Sequence, residues 1–355
     1  MDRVDEYFEE DFMDSQRMNR KVLALLFLGA LTVCLFLYFF IDLAETIKAI
    51  SSANPFLCTL ALLFVVSGIF FYAVTWDIIL RAISKPLGIW RAFQYVCTSI
   101  FMSIVLPGGT LSEETTRAYL TVKNSGNNTG SVIASIISHR SIDIIPFLGG
   151  AILGFVFMVR SQRFLGYAIY VVSFVISLII LALSLVLYLA IRPEKTERIL
   201  NTIFRVVGRL YKRPLKLQSW REKAAAELQL FHEGMDRLRI RPLTLTLAFL
   251  FTIVSYASDI IAAGLVFRAL GTEIPFSLII IAYTMGVALL TIPSGIPGMT
   301  GPFEITIIAL YSAMGISPAT AAAATLILRG MNFWFETALG GVMAYWVGLK
   351  TLKTA

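Results

Sequence analysis

The sequence predicts an all-α, polytopic membrane protein: a helical bundle with two inverted repeats, each interrupted by a re-entrant broken helix. Three observations predict this fold class. Hydrophobic residues make up 57% of the 355 residues, and charged residues make up only 15%, whereas soluble domains carry about 25%. Several apolar runs are long enough to cross a bilayer. Two further apolar runs are broken by proline and glycine at corresponding places in the two halves of the chain.

The apolar runs divide into long and short ones. The long runs, predicted to span the membrane, are Val22–Ile41, Phe56–Leu80, Ser131–Val159, Phe164–Ile191, Leu243–Phe267 and Met331–Leu349. The short runs are Ala92–Leu106, Phe276–Ile292, Phe303–Met314 and Ala319–Leu328. A spanning helix needs roughly 20 apolar residues, so the short runs are typical of re-entrant or half-helices. The first 20 residues are polar and mostly acidic, so no cleavable signal is expected.

The placement of basic residues predicts sidedness and domain organisation. The polar stretch Arg192–Arg241 holds 13 Lys or Arg against 6 Asp or Glu, which is typical of a cytoplasmic segment. Basic residues next to both ends of the chain also predict cytoplasmic termini, in a multi-pass protein of the cell membrane. The predicted domains are an acidic tail (1–20), a first membrane half (21–191), a basic linker (192–242) and a second membrane half (243–355).

The basic linker is predicted to form two amphipathic helices, because apolar residues recur at helical spacing in both of its parts. One interpretation places such a helix on the anionic lipids of the inner leaflet. The other, simpler interpretation is a helical hairpin that caps the bundle. The basic excess is thus a signal of topology and of lipid contact, and no nucleic-acid partner is expected.

The two broken segments are the strongest functional signal in the chain. Leu106–Glu113 and Thr291–Glu304 place proline and glycine within apolar runs, and each ends in a carboxylate. The residues that break the helices are Pro107, Gly108, Gly109, Pro297, Gly298 and Gly301. Non-helical backbone at membrane depth is tolerated only where it is buried in protein or lines a wet cavity. Paired breaks in inverted repeats are typical of a transporter's binding site near the midplane.

Charged residues cluster beside these breaks. The candidate substrate-binding residues are Glu113, Glu114, Arg117, His139, Arg140, Asp143, Glu304, Arg329 and Glu336. A charge facing lipid at mid-bilayer costs at least about 2.5–3.5 kcal/mol, so these side chains should face protein or water and form pairs. We expect Arg140 to pair with Glu113 or Asp143, and Arg329 with Glu304 or Glu336. For Glu336, an ion pair that only fixes the fold is an equal alternative.

The chemistry of these residues suits a phosphate-bearing lipid headgroup. An arginine guanidinium matches phosphate oxygens in a planar fork, and helix N-termini freed by the breaks present backbone donors to an anion. Cys34, Cys58 and Cys97 lack the spacing of metal ligands, so neither a metal nor a cofactor is expected. Catalytic motifs are scarce: the sequence has no Gly-rich phosphate loop, no His-Glu-x-x-His motif and no cysteine pair. A solitary His139 is more often packed than catalytic.

Three segments resemble the signature segments of the lysylphosphatidylglycerol synthase transmembrane-region family. They are LPGGTLSEETTR (106–117), SHRSID (138–143) and IPSGIPGMTGPFE (292–304). The resemblance covers nearly the whole chain and implies a polytopic, flippase-like lipid domain. In bacterial aminoacyl-lipid proteins of this family, a soluble aminoacyl transferase domain follows; this chain ends at Ala355, so a stand-alone member is expected. Ser112 stands where the family usually has glycine, which leaves Glu113 and Glu114 as alternatives.

The sequence therefore predicts a non-enzymatic protein that moves a phospholipid or a polyprenyl-phosphate-linked glycolipid between leaflets. Two alternatives remain open: an integral membrane transferase acting on polyprenyl-phosphate sugars, and a small-solute transporter. The expected partners are the lipid substrate and, at the linker, anionic lipids. A second copy of the chain or a separate lipid-modifying enzyme are further possible partners.

Overall fold

A computed structural model of the protein shows a bundle of α-helices. The structure describes residues 42–105, 109–161, 166–210, 214–290 and 296–353, together with five single residues between 27 and 38. The helices of these ranges are α1 (Leu43–Ser51), α2 (Pro55–Ile83), α3 (Ile89–Val105), α4 (Thr110–Ser125), α5 (Thr129–Ser161), α6 (Gly166–Ile191), α7 (Pro193–Leu210), α8 (Pro214–Arg239), α9 (Pro242–Ala269), α10 (Phe276–Leu290), α11 (Pro302–Ala313), α12 (Pro318–Arg329) and α13 (Glu336–Lys353). A π-helix, Gly330–Phe335, joins α12 to α13. No β-strand occurs within the described ranges.

The helices confirm the all-α fold class and most of the apolar runs. Among the described residues, Pro55–Ile83, Thr129–Leu153 and Pro242–Ala269 are long and apolar enough to cross a membrane. They correspond to three of the predicted spans. The predicted run Phe164–Ile191 is helical from Gly166. The first predicted span, Val22–Ile41, lies outside the described residues apart from a few single positions.

The same succession of helices occurs twice along the chain. In the first half, α2 and α3, of 29 and 17 residues, precede the break, and α4 and α5, of 16 and 33 residues, follow it. In the second half, α9 and α10, of 28 and 15 residues, precede the break, and α11, of 12 residues, follows it. The helix from α12 through α13 then completes the series. The repeat of element order is thus present, while its inverted orientation remains a prediction.

Proline and glycine set the ends of many helices. Six of the described helices begin at a proline, namely α2, α7, α8, α9, α11 and α12. Proline is well suited to the first helical position because its fixed φ is helical and its missing N–H has no intrahelical acceptor there. Several turns contain a glycine with positive φ, which residues with a side chain rarely adopt; Gly88, Gly126, Gly271 and Gly315 are examples.

The described residues divide into two compact units, and the division falls within α2, α3, α4, α9 and α13. In the first unit, the core combines Ala61 and Val65 of α2 with Phe267 of α9 and Tyr311 of α11. The rings of Phe267 and Tyr311 meet edge to face, with centroids 4.9 Å apart. A run of buried alanines in α12, Ala321–Ala324, allows neighbouring helices to approach closely.

In the second unit, the linker helix α8 packs against the membrane helix α5. The linker forms α7 and α8, as predicted. The backbone N–H of Gly130 in α5 donates to Glu227 Oε2 of α8 at 2.5 Å. A Cβ on Gly130 would lie 2.0 Å from the Glu227 carbonyl oxygen, so only glycine permits this contact. Helix α8 is therefore packed against the bundle, which agrees with the capping interpretation for that half of the linker.

Candidate functional site

The two breaks differ in how much of them the structure describes. In the first break, Pro107 and Gly108 lie outside the described residues, and Gly109, with φ of 53°, precedes α4. In the second break, a single 3-10 turn, Pro297–Met299, precedes Gly301 and α11. Gly298, Met299 and Gly301 all have positive φ, of 56°, 52° and 100°. The predicted interruption of the apolar run at residues 297–301 is therefore a left-handed loop directly before a helix N-terminus.

A buried ion pair connects this loop to α12. Arg329 Nε donates to Glu304 Oε1 at 2.6 Å, and the two side chains are 8% and 3% exposed. Glu304 Oε2 accepts the backbone N–H of Gly301 at 2.6 Å, so the carboxylate also caps α11. Of the two partners expected for Arg329, the structure selects Glu304. Charge-assisted hydrogen bonds of this length are among the stronger ones in proteins.

The Arg329 guanidinium makes three further contacts within the first unit. Nη2 donates to the carbonyl oxygen of Gly298. The guanidinium carbon lies 4.6 Å from the ring centroid of Phe303 and 4.4 Å from that of Phe333, which is cation–π geometry. We call Arg329 with Glu304, Gly298, Phe303 and Phe333 the Arg329 latch, because it fastens the broken loop to α12 and to the π-helix. Binding of a lipid phosphate by Arg329, as predicted from the sequence, requires this latch to open.

A more exposed pair lies in the second unit. Arg140 Nε of α5 donates to Glu114 Oε1 of α4 at 2.7 Å, and the two side chains are 33% and 28% exposed. Arg140 Nη1 lies 3.9 Å from Asp143 Oδ2, one helical turn further along α5. We call Arg140, Glu114 and Asp143 the Arg140 site. Its guanidinium thus contacts two carboxylates while remaining partly accessible.

The structure adds Glu114 to the partners of Arg140 that the sequence predicts. The expected partner Asp143 lies 3.9 Å from the Arg140 guanidinium, and Glu114, another candidate site residue, lies 2.7 Å from Arg140 Nε. Successive residues of an α-helix point about 100° apart, so Glu113 and Glu114 point in different directions from α4. Glu113 lies in the first turn of α4, where its charge is favourable for the helix dipole.

The two arginine–carboxylate pairs occupy corresponding places. Arg140 is the twelfth residue of the helix that begins at Thr129, and Arg329 is the twelfth residue of the helix that begins at Pro318. Each arginine uses Nε to bind Oε1 of a glutamate near the start of the preceding short helix. The pairs differ in exposure, since the Glu304 pair is buried and the Glu114 pair is about one-third exposed.

A second arginine of the first half, Arg117 of α4, lies in the core of its unit. Arg117 and His139 are fully buried, and Arg117 Nη1 lies 3.3 Å from His139 Nδ1. The guanidinium carbon is 5.5 Å from the Tyr72 ring centroid and 5.3 Å from the Trp76 ring centroid, both on α2. Because a guanidinium only donates, Nδ1 of His139 accepts in this contact and Nε2 carries the ring proton. Arg117 and His139 therefore lie in the core of the second unit, next to aromatic side chains of α2.

Sequence reasoning did not include the aromatic residues around Arg117 and Arg329. Tyr72 and Trp76 are four residues apart on α2, and Phe333 is four residues after Arg329, so both spacings place the residues on one helix face. The position of Phe333 about one turn after Arg329 is a usable sequence signal for their cation–π contact. The contacts of Tyr72 and Trp76 with Arg117 join two helices and have no such signal. Glu336, the remaining predicted residue, begins α13 near Cys97.

Comparison with known proteins assigns the family. A family model described as the lysylphosphatidylglycerol synthase TM region matches residues 22–340. The chain belongs to this family. A UPF0104 membrane protein of Pyrococcus horikoshii is 26% identical over 322 residues, which is 90% of this chain and 95% of the relative. A UPF0104 membrane protein of Methanothermobacter thermautotrophicus is 28% identical over 299 residues, covering 83% of this chain and 87% of the relative.

The family match covers both breaks. In the second break, Gly298 is packed so closely that a side chain would not fit. A Cβ on Gly298 would lie 2.1 Å from Phe333 Cε2, and its φ is positive. Gly109 also has positive φ, but nothing lies within 4 Å of its Cβ position. We therefore expect Gly298→Ala to lower the thermal unfolding temperature in detergent well below that of Gly109→Ala. Gly109→Ala should cost only the left-handed backbone penalty of about 1–2 kcal/mol.

Comparison of the two glycine variants separates two causes of destabilisation: the positive φ, which both positions share, and the clash with Phe333, which only Gly298 has. Unfolding temperatures of the two purified variants, measured side by side by intrinsic fluorescence, give the comparison. Equal losses would mean that the positive φ alone accounts for the effect and that Phe333 does not hold the loop.

Proposed function

We propose that the protein translocates a phosphate-bearing lipid between the leaflets of the membrane, and that the Arg140 site binds the lipid phosphate. The observation that carries this proposal is the repeated arginine–glutamate pair beside two helix breaks, of which one pair is partly exposed. Membership of the lysylphosphatidylglycerol synthase transmembrane-region family supports a lipid-related role.

Carboxylate and phosphate are interchangeable partners for a guanidinium, because both present two oxygens to its planar fork. In the absence of lipid, Glu114 lies 2.7 Å and Asp143 3.9 Å from the Arg140 guanidinium. A phosphate arriving at Arg140 takes the place of the Glu114 carboxylate and forms charge-assisted hydrogen bonds with the same guanidinium. The displaced carboxylate is then available to a cationic or hydroxylated substituent on the headgroup. The acyl or polyprenyl tails stay in the bilayer, so no wide polar pore is required.

The Arg329 latch takes a different role in this proposal. Its guanidinium is enclosed by Glu304, Gly298, Phe303 and Phe333 in the described conformation. It therefore holds the second broken segment in place, and opening of the latch would release the loop around Gly298. Broken helices at the site of transport are expected to move during alternating access.

Reconstitution tests the proposed activity and separates it from its rivals. Purified protein is placed in liposomes that contain a trace of phospholipid or polyprenyl-phosphate glycolipid with a fluorescent headgroup. A membrane-impermeant reductant then bleaches the outer leaflet. Translocation predicts protein-dependent bleaching of the inner-leaflet pool while the lipid remains chemically unchanged. A transferase would alter the lipid on thin-layer chromatography, and a solute transporter would leave the inner pool protected. Either of these two results would refute the proposal.

Sidedness is part of the proposal, since charge predicts cytoplasmic termini in the cell membrane. Single cysteines at Lys123 and Gln218 should react with a membrane-impermeant maleimide only from the cytoplasmic side, and one at Gly271 only from outside. All three positions are exposed, and the native cysteines are first replaced. Labelling of the Lys123 position from outside would mean that α3 crosses the membrane completely. The two halves would then not have inverted orientations, and that prediction would be wrong.

A further inference from the structure

Helix α7 exposes an apolar stripe in the second unit. Ile199, Ile203, Val206 and Val207 follow one another at helical spacing, and their exposed fractions lie between 37 and 52%. The face of α7 that packs in the hairpin is a different one. It carries Leu200 and Phe204, which are only partly exposed, and Asn201, which accepts from Arg221 of α8 at 3.1 Å. The stripe is therefore apolar surface left over after the hairpin has formed.

Basic residues border this stripe on the side away from the packed face. With about 100° between successive residues, the helix face next to the stripe carries three exposed basic residues, Lys195, Arg198 and Arg205. The acidic residues Glu194 and Glu197 lie beyond them, toward the packed face. An apolar stripe with a basic border is the pattern of a helix that lies in the interface of an anionic membrane.

The start of α7 is fixed close to a membrane helix. The last two turns of α6 expose Leu185, Tyr188 and Ile191, as expected of a lipid-facing helix end, and only Arg192 separates α6 from α7. His232 Nδ1 donates to the carbonyl oxygen of Ala190 at 3.1 Å, and His232 Nε2 lies 2.7 Å from Thr196 Oγ1. His232 therefore bridges the end of α6 to the start of α7, which limits the rotation of α7 about its axis.

We propose that α7 is an interfacial helix that binds the anionic surface of the bilayer. The stripe of Ile199, Ile203, Val206 and Val207 inserts at the boundary between headgroups and acyl chains, and Arg198 and Arg205 contact lipid phosphates. The occupant of this face is the lipid surface of the membrane in which the protein itself resides. This binding is independent of the proposed translocation and of the Arg140 site.

Depth-dependent quenching in the full-length protein tests the first part. Cys34, Cys58 and Cys97 are replaced, and a single cysteine at Ile203 or at Thr202 carries a bimane label. Thr202 is the matched control, since it is exposed on the neighbouring basic side. In liposomes with brominated acyl chains, quenching at Ile203 should exceed quenching at Thr202 several-fold, and aqueous iodide should give the reverse order. Strong iodide quenching at both positions, or protection of Ile203 from both quenchers, would overturn the proposal; the latter result would indicate a protein occupant.

Lipid charge tests the second part. Bromine quenching at Ile203 should rise when zwitterionic liposomes are replaced by liposomes with about 30% phosphatidylglycerol, since each basic residue near an anionic surface adds attraction. Arg198→Gln with Arg205→Gln should remove this rise. The control pair Lys223→Gln with Arg241→Gln removes the same charge elsewhere in the linker and should keep it. An equal loss in both double variants, or no rise at all, would refute recognition of anionic lipid by α7.

Discussion

Replacing Arg140 with alanine is expected to abolish lipid translocation while leaving the fold nearly unchanged. The Arg140–Glu114 pair is about one-third exposed, and exposed ion pairs contribute only about 0–1 kcal/mol to stability. Removal of the guanidinium, in contrast, removes the only group of the Arg140 site that can bind a phosphate. The expected result is a translocation rate at the level of protein-free liposomes, together with an unfolding temperature close to that of the unchanged protein.

Two further variants control this experiment. Arg140→Lys should recover only part of the rate, because an ammonium keeps the charge but lacks the planar fork. Arg221→Ala removes an exposed arginine of α8 and should translocate normally. Full activity of Arg140→Ala in the presence of correctly folded protein would exclude Arg140 as the phosphate-binding residue.

Replacing Arg329 with alanine is expected to destabilise the protein severely. Glu304 would remain 3% exposed without its cationic partner, and removing one partner of a buried ion pair typically costs about 3–5 kcal/mol. The loop at Gly298 would also lose its hydrogen bond to the guanidinium. A large drop in unfolding temperature should therefore accompany any loss of translocation, unlike the result expected for Arg140→Ala.

A double variant separates the lost pair from the lost side chain. Replacing a buried ion pair with apolar or neutral residues of similar volume is often close to neutral, so Glu304→Gln with Arg329→Met should recover much of the stability that Arg329→Ala loses. If Arg329→Ala instead unfolds at the wild-type temperature and fails only in translocation, Arg329 is itself a substrate-binding residue and does not act as a latch.

The helices and their breaks are predictable from the sequence, because both depend on local composition. A bilayer requires continuous apolar helices, and proline and glycine interrupt them visibly in the sequence. Runs such as Phe56–Leu80 and Leu243–Phe267 therefore correspond closely to α2 and α9. The two linker helices are also predictable, because the spacing of apolar residues is a local property of the sequence.

The contacts within the sites depend on how neighbouring helices are oriented and packed, which the sequence pattern does not reveal. Glu113 and Glu114 are chemically identical neighbours, and the sequence does not indicate that Glu114 lies 2.7 Å from Arg140 Nε. The aromatic residues around Arg117 come from α2, about forty positions or more away in the chain. The difference in burial between the two arginine pairs is likewise not predictable, because it depends on tertiary packing around each pair.

The π-helix between α12 and α13 determines the direction in which Gly340 points relative to Arg329. Both residues make close contacts within the first unit. Arg329 is the last residue of α12, before the π-helix, and Gly340 lies in α13, after it. Gly340 is so close to α3 that a Cβ added to it would lie 2.3 Å from the Cys97 carbonyl oxygen. In an uninterrupted α-helix, residues eleven positions apart point within about 20° of each other. One additional residue in the π-turn rotates Gly340 by roughly 100° relative to Arg329. Deleting a single residue from Gly330–Phe335 would therefore force the chain to give up either the ion pair with Glu304 or the close approach to α3, so the length of this short segment is fixed by geometry on both sides.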